Sequence, residues 1–418
     1  MIKEDRLAHE KIVLKNGITV FYVPMKIDIG QAIINIPFGH RHNIGDIPLG
    51  GFHFLEHCVL NRSTLFPELD AFDYFIKANG GRKNGTTNSK DTYYEIETHS
   101  KIFTKSFEGL LSNVYEPIFK QEDIDKEKTI IQNERKRKSP YYPATNKMGR
   151  EILDQLFELN INSVESNLGS DESLFSMDVS IMEKLHSYYF TNNTSVFLGG
   201  NIDLKKCISL LEETQTVSIS LPKTSESIAL KQKVYTEKDF EEISRHLYNF
   251  GFLIKSPYTF DFFRTQYLLF SFLINNLNGP LLVWLRKEKN WVYEVNKFSR
   301  FTDNSHFLGL EIPLSEKSTV SIVRNETNER ILDGLSNQKI IEDFLLSIEM
   351  SKIFSYQTLD SKVSSLHSTY KDFGHVVTDT TNATLFEKIQ QPKYFLDFYL
   401  KMKNESEFGE FLFNPLVV

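Results

Sequence analysis

Cysteine and long hydrophobic runs are both scarce in this chain. Its 418 residues include two cysteines, Cys58 and Cys207, which excludes a disulfide framework. Since no apolar run is long enough to cross a bilayer, the sequence predicts no membrane-spanning helix. The amino-terminal segment lacks the apolar stretch of a signal peptide and is too acidic for a transit peptide. These absences together predict a cytoplasmic protein with no membrane partner.

The chain also lacks an excess of positively charged residues. The net charge of −7 is mild for this length and argues against a protein that binds nucleic acid. The hydrophobic fraction of 40% and the charged fraction of 25% are typical of a chain that can build large cores. Its length suffices for two domains of about 200 residues each.

The segment His53-Phe54-Leu55-Glu56-His57 reads H-x-x-E-H. Two histidines four residues apart lie on one face of a helix, where both can bind a single Zn²⁺ ion. Glu56 lies on nearly the same face and can reach a metal-bound water without being a ligand. A chance match is the plain alternative. However, the flanking apolar residues predict a buried helix, in which these groups would be costly without a metal.

A charged helix predicted over residues 121–138 offers a third ligand. Glu127 and Glu134 lie seven residues apart on this helix and therefore share a face. Pro140 is expected to end the helix. For any single glutamate here, a solvated helix face is the alternative interpretation. We adopt that interpretation for the basic run 135–138, which is not read as a nucleic-acid patch.

This arrangement resembles the pitrilysin or insulin-degrading-enzyme family of zinc peptidases. Members carry H-x-x-E-H, a third-ligand Glu roughly seventy-five residues downstream and another Glu seven residues before it. Here the separation is 134 − 57 = 77 residues, and Glu127 fills the earlier position. The segments 80–87 and 91–94 resemble the family pattern G-G-x-x-N-A-x-T followed by D-x-T-x-Y. Two departures are that Gly85 replaces the usual Ala and that Thr92 directly follows Asp91.

A second family signature lies far downstream. The segment 282–293 resembles the L-x-x-x-L-R…Y segment in the zinc-free half of the family, and Arg286 and Tyr293 match its Arg and Tyr. Because this spacing is common, Tyr293 could instead simply open a strand.

Strand-then-helix order in both halves predicts an α+β fold. We expect two similar domains, each with an antiparallel-rich mixed sheet packed with helices. The predicted boundaries are a zinc-bearing domain at 1–215, a polar linker at 216–238 and a zinc-free domain at 239–418. The resemblance implies the short two-domain type, like mitochondrial processing peptidase subunits and small bacterial homologues.

The resemblance also implies one Zn²⁺ per chain, with His53, His57 and Glu134 as its ligands. Glu56 would be the general base, and Glu127 would orient His57 or Glu134. Arg286 and Tyr293 would steady the peptide and the developing oxyanion. The substrate backbone would be held by strand addition at four consecutive residues: Asn84, Gly85, Thr86 and Thr87.

The predicted function is therefore zinc-dependent endopeptidase activity inside a dimeric chamber. The substrates would be short or unfolded peptides, or a precursor whose leader is removed. The partner would be a second copy of the chain or a homologous sister chain. Two alternatives remain open: a non-catalytic subunit of a peptidase-like complex, and a peptide-binding module.

Overall fold

The computed structural model describes residues 5–40, 42, 47–141, 157–159, 168–219, 228–230, 235–240, 243–255, 259–301 and 305–416. The chain divides into two structural units. Unit 1 comprises Met1–Arg137, Asn162–Lys223 and Phe354–Asp379. Unit 2 comprises Lys138–Ile161, Thr224–Ile353 and Thr380–Val418.

The strands form one mixed sheet in each unit and a small separate pair. In chain order they are β1 Glu10–Val13, β2 Thr19–Pro24, β3 Ile29–Ile36, β4 Arg82–Thr87, β5 Thr92–His99, β6 Phe157–Leu159, β7 Ser195–Gly200, β8 Ile228–Leu230, β9 Thr236–Phe240, β10 His246–Lys255, β11 Asn296–Phe301, β12 Ser305–Leu314 and β13 Glu407–Pro415.

Helices pack against both sheets. In chain order they are α1 Gly51–Val59, α2 Ala71–Ala78, α3 Ser100–Tyr115, α4 Gln121–Tyr141, α5 Asp171–Phe175, α6 Val179–His186, α7 Leu204–Glu213, α8 Phe260–Leu273, α9 Pro280–Leu282, α10 Lys317–Leu335, α11 Gln338–Ser355, α12 Leu359–Phe373, α13 Asp379–Ile389 and α14 Tyr394–Glu405. A 3₁₀ turn at Ser187–Phe190 follows α6, and a π-helical segment at Val283–Glu288 follows α9.

The sheet of unit 1 has the order β1-β2-β7-β3-β5-β4, in which the pair β2 and β7 is parallel and the others are antiparallel. Strand β5 alternates as its sequence predicts: Tyr94 and Ile96 are buried in the core that also contains α1 and α3. Strand β4 lies at one edge of this sheet.

Helix α12 covers the other face of this sheet, although it lies far downstream in the chain. As a result β3 is buried on both faces, including its two polar residues Gln31 and Asn35. The helix supplies their partners. The side-chain amide of Gln31 donates to Asp360 over 2.8 Å, and His367 Nε2 lies 2.8 Å from the side-chain oxygen Oδ1 of Asn35. The sequence contains no local signal for these two contacts.

The sheet of unit 2 has the order β11-β12-β10-β13-β9, in which only the pair β13 and β9 is parallel among the described strands. Its core packs the sheet against helices α8, α10, α11 and α14. The predicted α+β class, with two antiparallel-rich mixed sheets packed with helices, is confirmed.

Several predicted elements differ from the structure. Helix α4 continues through Pro140, which lies in its last turn, to Tyr141. The sequence also predicts a helix at about 144–158. Residues 144–156 lie outside the described residues, and Phe157–Leu159 is a strand paired with β8. The predicted linker contains β8 and the start of β9, whose polar sequence suits an edge strand. Strand β13 was not predicted. The domain boundaries stay a prediction.

Among the described residues, no helix is both long and apolar enough to cross a membrane.

The buried His367 generates a prediction about acid stability. Burial lowers the pKa of His367 from 6.5 to about 3, and the charge of Lys371 acts in the same direction. In the unfolded chain the ring binds a proton near its ordinary pKa. The stability from the neutral ring is therefore present above about pH 6.5 and is lost as the pH falls toward 3.

We expect His367→Gln, whose amide can still donate to Asn35, to weaken this pH dependence. The wild type should lose up to about 1.4 kcal/mol more stability per pH unit below pH 6.5 than the variant. Thermal unfolding from pH 7 to pH 5 measures the difference. His306, whose pKa burial also lowers to about 3, is present in both proteins, so the comparison isolates His367. Parallel pH profiles would contradict the prediction.

Candidate metal centre and its supporting residues

Helix α1 carries His53, Glu56 and His57 on one face. Its first turn follows Gly50, whose φ of 77° is left-handed. A Cβ on Gly50 would lie 2.6 Å from the backbone nitrogen of Gly169, so glycine is required here for a close backbone approach. The helix is buried along almost its whole length, and the two imidazole rings lie 4.8 Å apart between centroids.

Helix α4 brings Glu134 to both histidines. Glu134 Oε2 lies 3.8 Å from His53 Nε2 and 3.7 Å from His57 Nε2. One carboxylate oxygen thus faces the same nitrogen atom of each ring at nearly equal distance. Two ligands of a tetrahedral zinc ion lie about 3.4 Å apart, since each is about 2.0–2.1 Å from the metal. These three side chains therefore fit a zinc ion with little adjustment.

Glu127, seven residues earlier on α4, contacts the far side of His57. Its Oε2 lies 3.1 Å from His57 Nδ1, and its Oε1 accepts a hydrogen bond of 3.1 Å from the Asn61 side chain. A proton on Nδ1 satisfies this contact and leaves the Nε2 lone pair directed toward Glu134. Glu127 thus positions His57 in the tautomer that a metal requires.

Glu56 is held between α1 and the edge strand β4. The Thr87 hydroxyl lies 3.3 Å from Glu56 Oε2 and donates to it, and Thr92 lies 3.3 Å behind Thr87. A Cβ on Gly85 would come within 2.5 Å of Glu56 Oε1, so the glycine at this position leaves room for the carboxylate. Glu56 Oε2 lies 4.0 Å from His53 Nε2.

The site concentrates negative charge in a buried place. Burial raises the pKa of Glu56, and the charges of Glu134 and Glu127 add to this effect against the opposing influence of His57 and Thr87. Burial opposes protonation of His57, but the hydrogen bond that its Nδ1 donates to Glu127 and the charges of the nearby carboxylates outweigh burial and raise its pKa. A divalent cation would compensate these carboxylates at the cost of little rearrangement.

Two carboxylates compete for the role of third ligand. His53, Glu56 and His57 offer ligand atoms that all lie within 4.8 Å of one another. Glu134, however, approaches both imidazole nitrogens, whereas Glu56 accepts the Thr87 hydrogen bond. We therefore assign the third ligand position to Glu134 in the interpretation below.

A buried ion pair braces the two helices of the site. Arg62, just after α1, donates to Asp123 in the first turn of α4 over 2.6 Å, and also to the carbonyl oxygen of Pro67. Burial alone would raise the pKa of Asp123, but the hydrogen bond and charge of Arg62 hold it below its usual range. The sequence analysis missed this pair. The two residues lie 61 positions apart, and the sequence contains no motif that joins them.

The remaining predicted substrate residues lie on β4. Asn84 is exposed, and its amide lies 3.4 Å from both Thr86 Oγ1 and Glu95 Oε1. Thr87 is buried and bonds to Glu56, so its side chain faces the catalytic candidate rather than solvent. The structure thus divides the four residues between two faces of the strand.

Arg286 and Tyr293 contact each other within unit 2. The Arg286 guanidinium carbon lies 4.8 Å from the Tyr293 ring centroid, and Tyr293 is 69% exposed. Such a stacked pair presents a cation and a phenol hydroxyl side by side. Their predicted catalytic roles stay predictions.

Comparison with known proteins identifies the fold and the motif. The chain matches the family model "Insulinase (Peptidase family M16)" over residues 27–154 and the model "Peptidase M16 inactive domain" over residues 181–341. An uncharacterized zinc protease of Bacillus subtilis (strain 168) is 24% identical over 51% of this chain and 50% of its own length. A zinc protease of Helicobacter pylori (strain ATCC 700392 / 26695) is 25% identical over 48% of this chain and 45% of its own length.

The longer relatives match about a third of this chain or less. An insulin-degrading enzyme homolog of Dictyostelium discoideum is 28% identical over 31% of this chain, and the match spans 14% of its own length. The matches to curated relatives therefore span half of their length or less.

Solved structures extend the likeness to the whole fold. A protease from Helicobacter pylori superimposes with a TM-score of 0.74 at 16% identity, covering 98% of this chain and 99% of that one. Pitrilysin superimposes with a TM-score of 0.75 at 16% identity, covering 99% of this chain but 45% of that one. At this identity the likeness shows the fold alone.

The fold is that of a two-domain M16 peptidase-like protein. The chain belongs to the insulinase family, peptidase family M16, and its fold is similar to that of small two-domain bacterial members. The predicted family is thereby confirmed. The second matched model is described as an inactive domain, in agreement with the single H-x-x-E-H motif of this sequence.

The positions of Glu134 and Glu127 on α4 predict how strongly each residue contributes to zinc affinity. Glu134→Ala should abolish stable zinc binding because it removes one of three ligands. Glu127→Gln should weaken zinc binding about 10–100-fold, since it disturbs only the orientation of His57. Competition with a chelator and elemental analysis measure both effects, and Glu108→Gln on the exposed side of α3 is the control. Full zinc content in Glu134→Ala, together with its loss in Glu56→Ala, would make Glu56 the third ligand.

Proposed function

We propose that this chain is a zinc-dependent endopeptidase. The observation that carries the proposal is the position of Glu134 Oε2, which faces both histidines of α1 while Glu56 remains beside them. A metal at His53, His57 and Glu134 would leave Glu56 available for proton transfer. Membership of the M16 family and the zinc protease relatives support the same interpretation.

Zinc at this site would supply Lewis-acid chemistry, lowering the pKa of water and polarising a peptide carbonyl. The other steps belong to residues of the chain. Glu56 would accept the proton of the attacking water on a carboxylate oxygen and later deliver it to the leaving amine.

The substrate would lie along β4. This strand ends the sheet of unit 1, and an extended peptide can add to such an edge through backbone hydrogen bonds. Strand addition reads the backbone rather than side chains, which suits short or unfolded peptides. The backbone of Asn84, Gly85 and Thr86 is the segment nearest Glu56 that could hold it.

Arg286 and Tyr293 would steady the peptide and the developing oxyanion. We further propose a dimer, formed with a second copy or with a homologous chain. Pitrilysin supports this interpretation, because this chain covers less than half of it and thus corresponds in length to one half of that protein. Action in the cytoplasm, and precursor processing as opposed to general peptide digestion, are part of the same proposal.

A non-catalytic subunit is the alternative. The intact donor set and the Thr87 contact to Glu56 favour catalysis, because neither is needed for binding alone. A peptide-binding module would likewise have no use for a positioned general base.

The decisive variant is Glu56→Gln. We expect hydrolysis of a fluorogenic peptide to fall by roughly a hundred-fold or more in kcat, because the amide cannot accept the proton of water. Zinc content should stay unchanged, since Glu56 is not assigned as a ligand. Glu172→Gln, on an exposed part of α5, is the control and should be fully active. Near-normal turnover by the zinc-loaded Glu56→Gln protein would refute the mechanism.

Thr87 tests how Glu56 is positioned. Thr87→Val keeps the side-chain shape but removes the hydroxyl that donates to Glu56 Oε2. We expect kcat to fall about five- to tenfold with little change in KM, the worth of one hydrogen bond of about 1–1.4 kcal/mol. Thr87→Ser retains the donor and should restore most of the activity. Equal activity of the Val and Ser variants would mean that the hydroxyl does not position the base.

A further inference from the structure

The edge strand β4 presents a lysine on the same face as the catalytic candidates. Side chains alternate along a strand, so Lys83, Gly85 and Thr87 share one face. Their cross-strand partners on β5 are Ile96, Tyr94 and Thr92, all buried on the side of helix α1. Since Gly85 and Thr87 both adjoin Glu56, Lys83 lies on the Glu56 face, about 7 Å along the strand from Gly85.

The Lys83 side chain is enclosed: only 12% of it is exposed. Its amine lies 3.5 Å from Asp73 Oδ1, which is longer than a good hydrogen bond. The other oxygen of Asp73 lies 2.8 Å from the amine of Lys77, which is exposed to solvent. One carboxylate is therefore shared between two ammonium groups, and the exposed one has the closer contact.

The charge of Lys83 is incompletely compensated as a result. Burial lowers the pKa of its amine, and the attraction of Asp73 does not restore it. A buried cation in this condition attracts an anion that can enter the same space. Position 83 is one of the two unspecified positions in the G-G-x-x-N pattern, so the pattern itself does not require a lysine there.

We propose that Lys83 is a specificity residue that recognises an acidic side chain of the peptide substrate. The inference rests on the proposed function and names the class of peptide preferred. A peptide added to β4 directs alternate side chains to the Glu56 face. Lys83 and Gly85 are two residues apart on β4. The peptide residue that contacts Lys83 would therefore be two positions away from the peptide residue that lies beside Gly85. A glutamate or aspartate there gains a partly desolvated ammonium partner, whereas a lysine there meets like charge.

Lys83 could alternatively serve only to pair with Asp73 and stabilise the contact between α2 and β4. The two roles differ in what Lys83→Met does. Asp73 keeps Lys77 as its partner in this variant, so no charge is stranded. Because the folded state holds the Lys83 ammonium at a cost, its removal should leave the unfolding temperature unchanged or raised. A purely structural pair would instead lower it.

The test uses zinc-loaded full-length protein and a fluorogenic peptide scanned with Glu, Gln and Lys at each position around the cleaved bond. The wild type should prefer Glu over Gln about tenfold in kcat/KM at one position and should discriminate against Lys there. Lys83→Met should abolish this preference, and Lys83→Glu should reverse it in favour of Lys. Arg82→Met is the matched control. It removes the same charge from the neighbouring residue on the opposite face, where Arg82 pairs with Glu97, and should keep the preference.

Binding separates this inference from the proposed function. The same labelled peptides are titrated against Glu56→Gln protein by fluorescence polarisation, which requires no turnover. If the wild type cleaves no peptide, yet the Glu peptide binds more tightly than the Gln peptide and Lys83→Met removes the difference, the peptidase assignment fails and the role of Lys83 stands. Equal treatment of Glu and Gln at every position, or a preference that survives Lys83→Met, would overturn the role of Lys83.

Discussion

The contact on which the rest of the site depends is the approach of Glu134 to His53 and His57. It brings a carboxylate from one helix to two imidazoles of another, with further carboxylates close by. Such a group of buried anions is unfavourable without a cation, so the protein must hold it in place by other contacts. The Arg62–Asp123 ion pair and the backbone approach of Gly50 to Gly169 supply that restraint. The site is thus assembled by contacts that do not themselves touch a metal.

The sheet that supports α1 is stable because it is covered on both faces. Helix α1 and helix α3 pack on one side, and α12 packs on the other. Complete burial of β3 would be costly for Gln31 and Asn35, but Asp360 and His367 each supply one of them with a hydrogen-bond partner. A segment from the carboxy-terminal half therefore helps to hold the strands that position Glu56. This dependence means that the amino-terminal half of the sequence does not contain its whole fold.

The sequence predicted the family and the α+β class correctly, because these rest on local spacing. It also predicted that His53, His57 and Glu134 lie together, while their role as metal ligands stays a prediction. Two histidines one turn apart and a glutamate seven residues after another are periodic signals that any helix preserves. The sequence could not predict α12 as part of unit 1, nor the Arg62–Asp123 pair, because both join residues distant in the chain. The strand β9 could not be predicted either, because a polar edge strand has the composition of a linker. The sequence predicted that Thr87 lies on a strand. It could not predict the hydrogen bond from Thr87 to Glu56, because that contact depends on which face of β4 packs against α1.

Strand β4 contributes to the site in two ways, through the side chains on one of its faces and through its backbone at the edge of the sheet. Its Glu56 face carries Thr87, which positions the carboxylate, Gly85, which leaves space for it, and Lys83, which adds an incompletely compensated charge. Its backbone, at the edge of the sheet, is the part that a peptide could pair with. Backbone pairing alone would accept any extended sequence. In the proposed peptidase, side chains on the Glu56 face would supply selectivity, and Lys83 is the charged residue of β4 on that face.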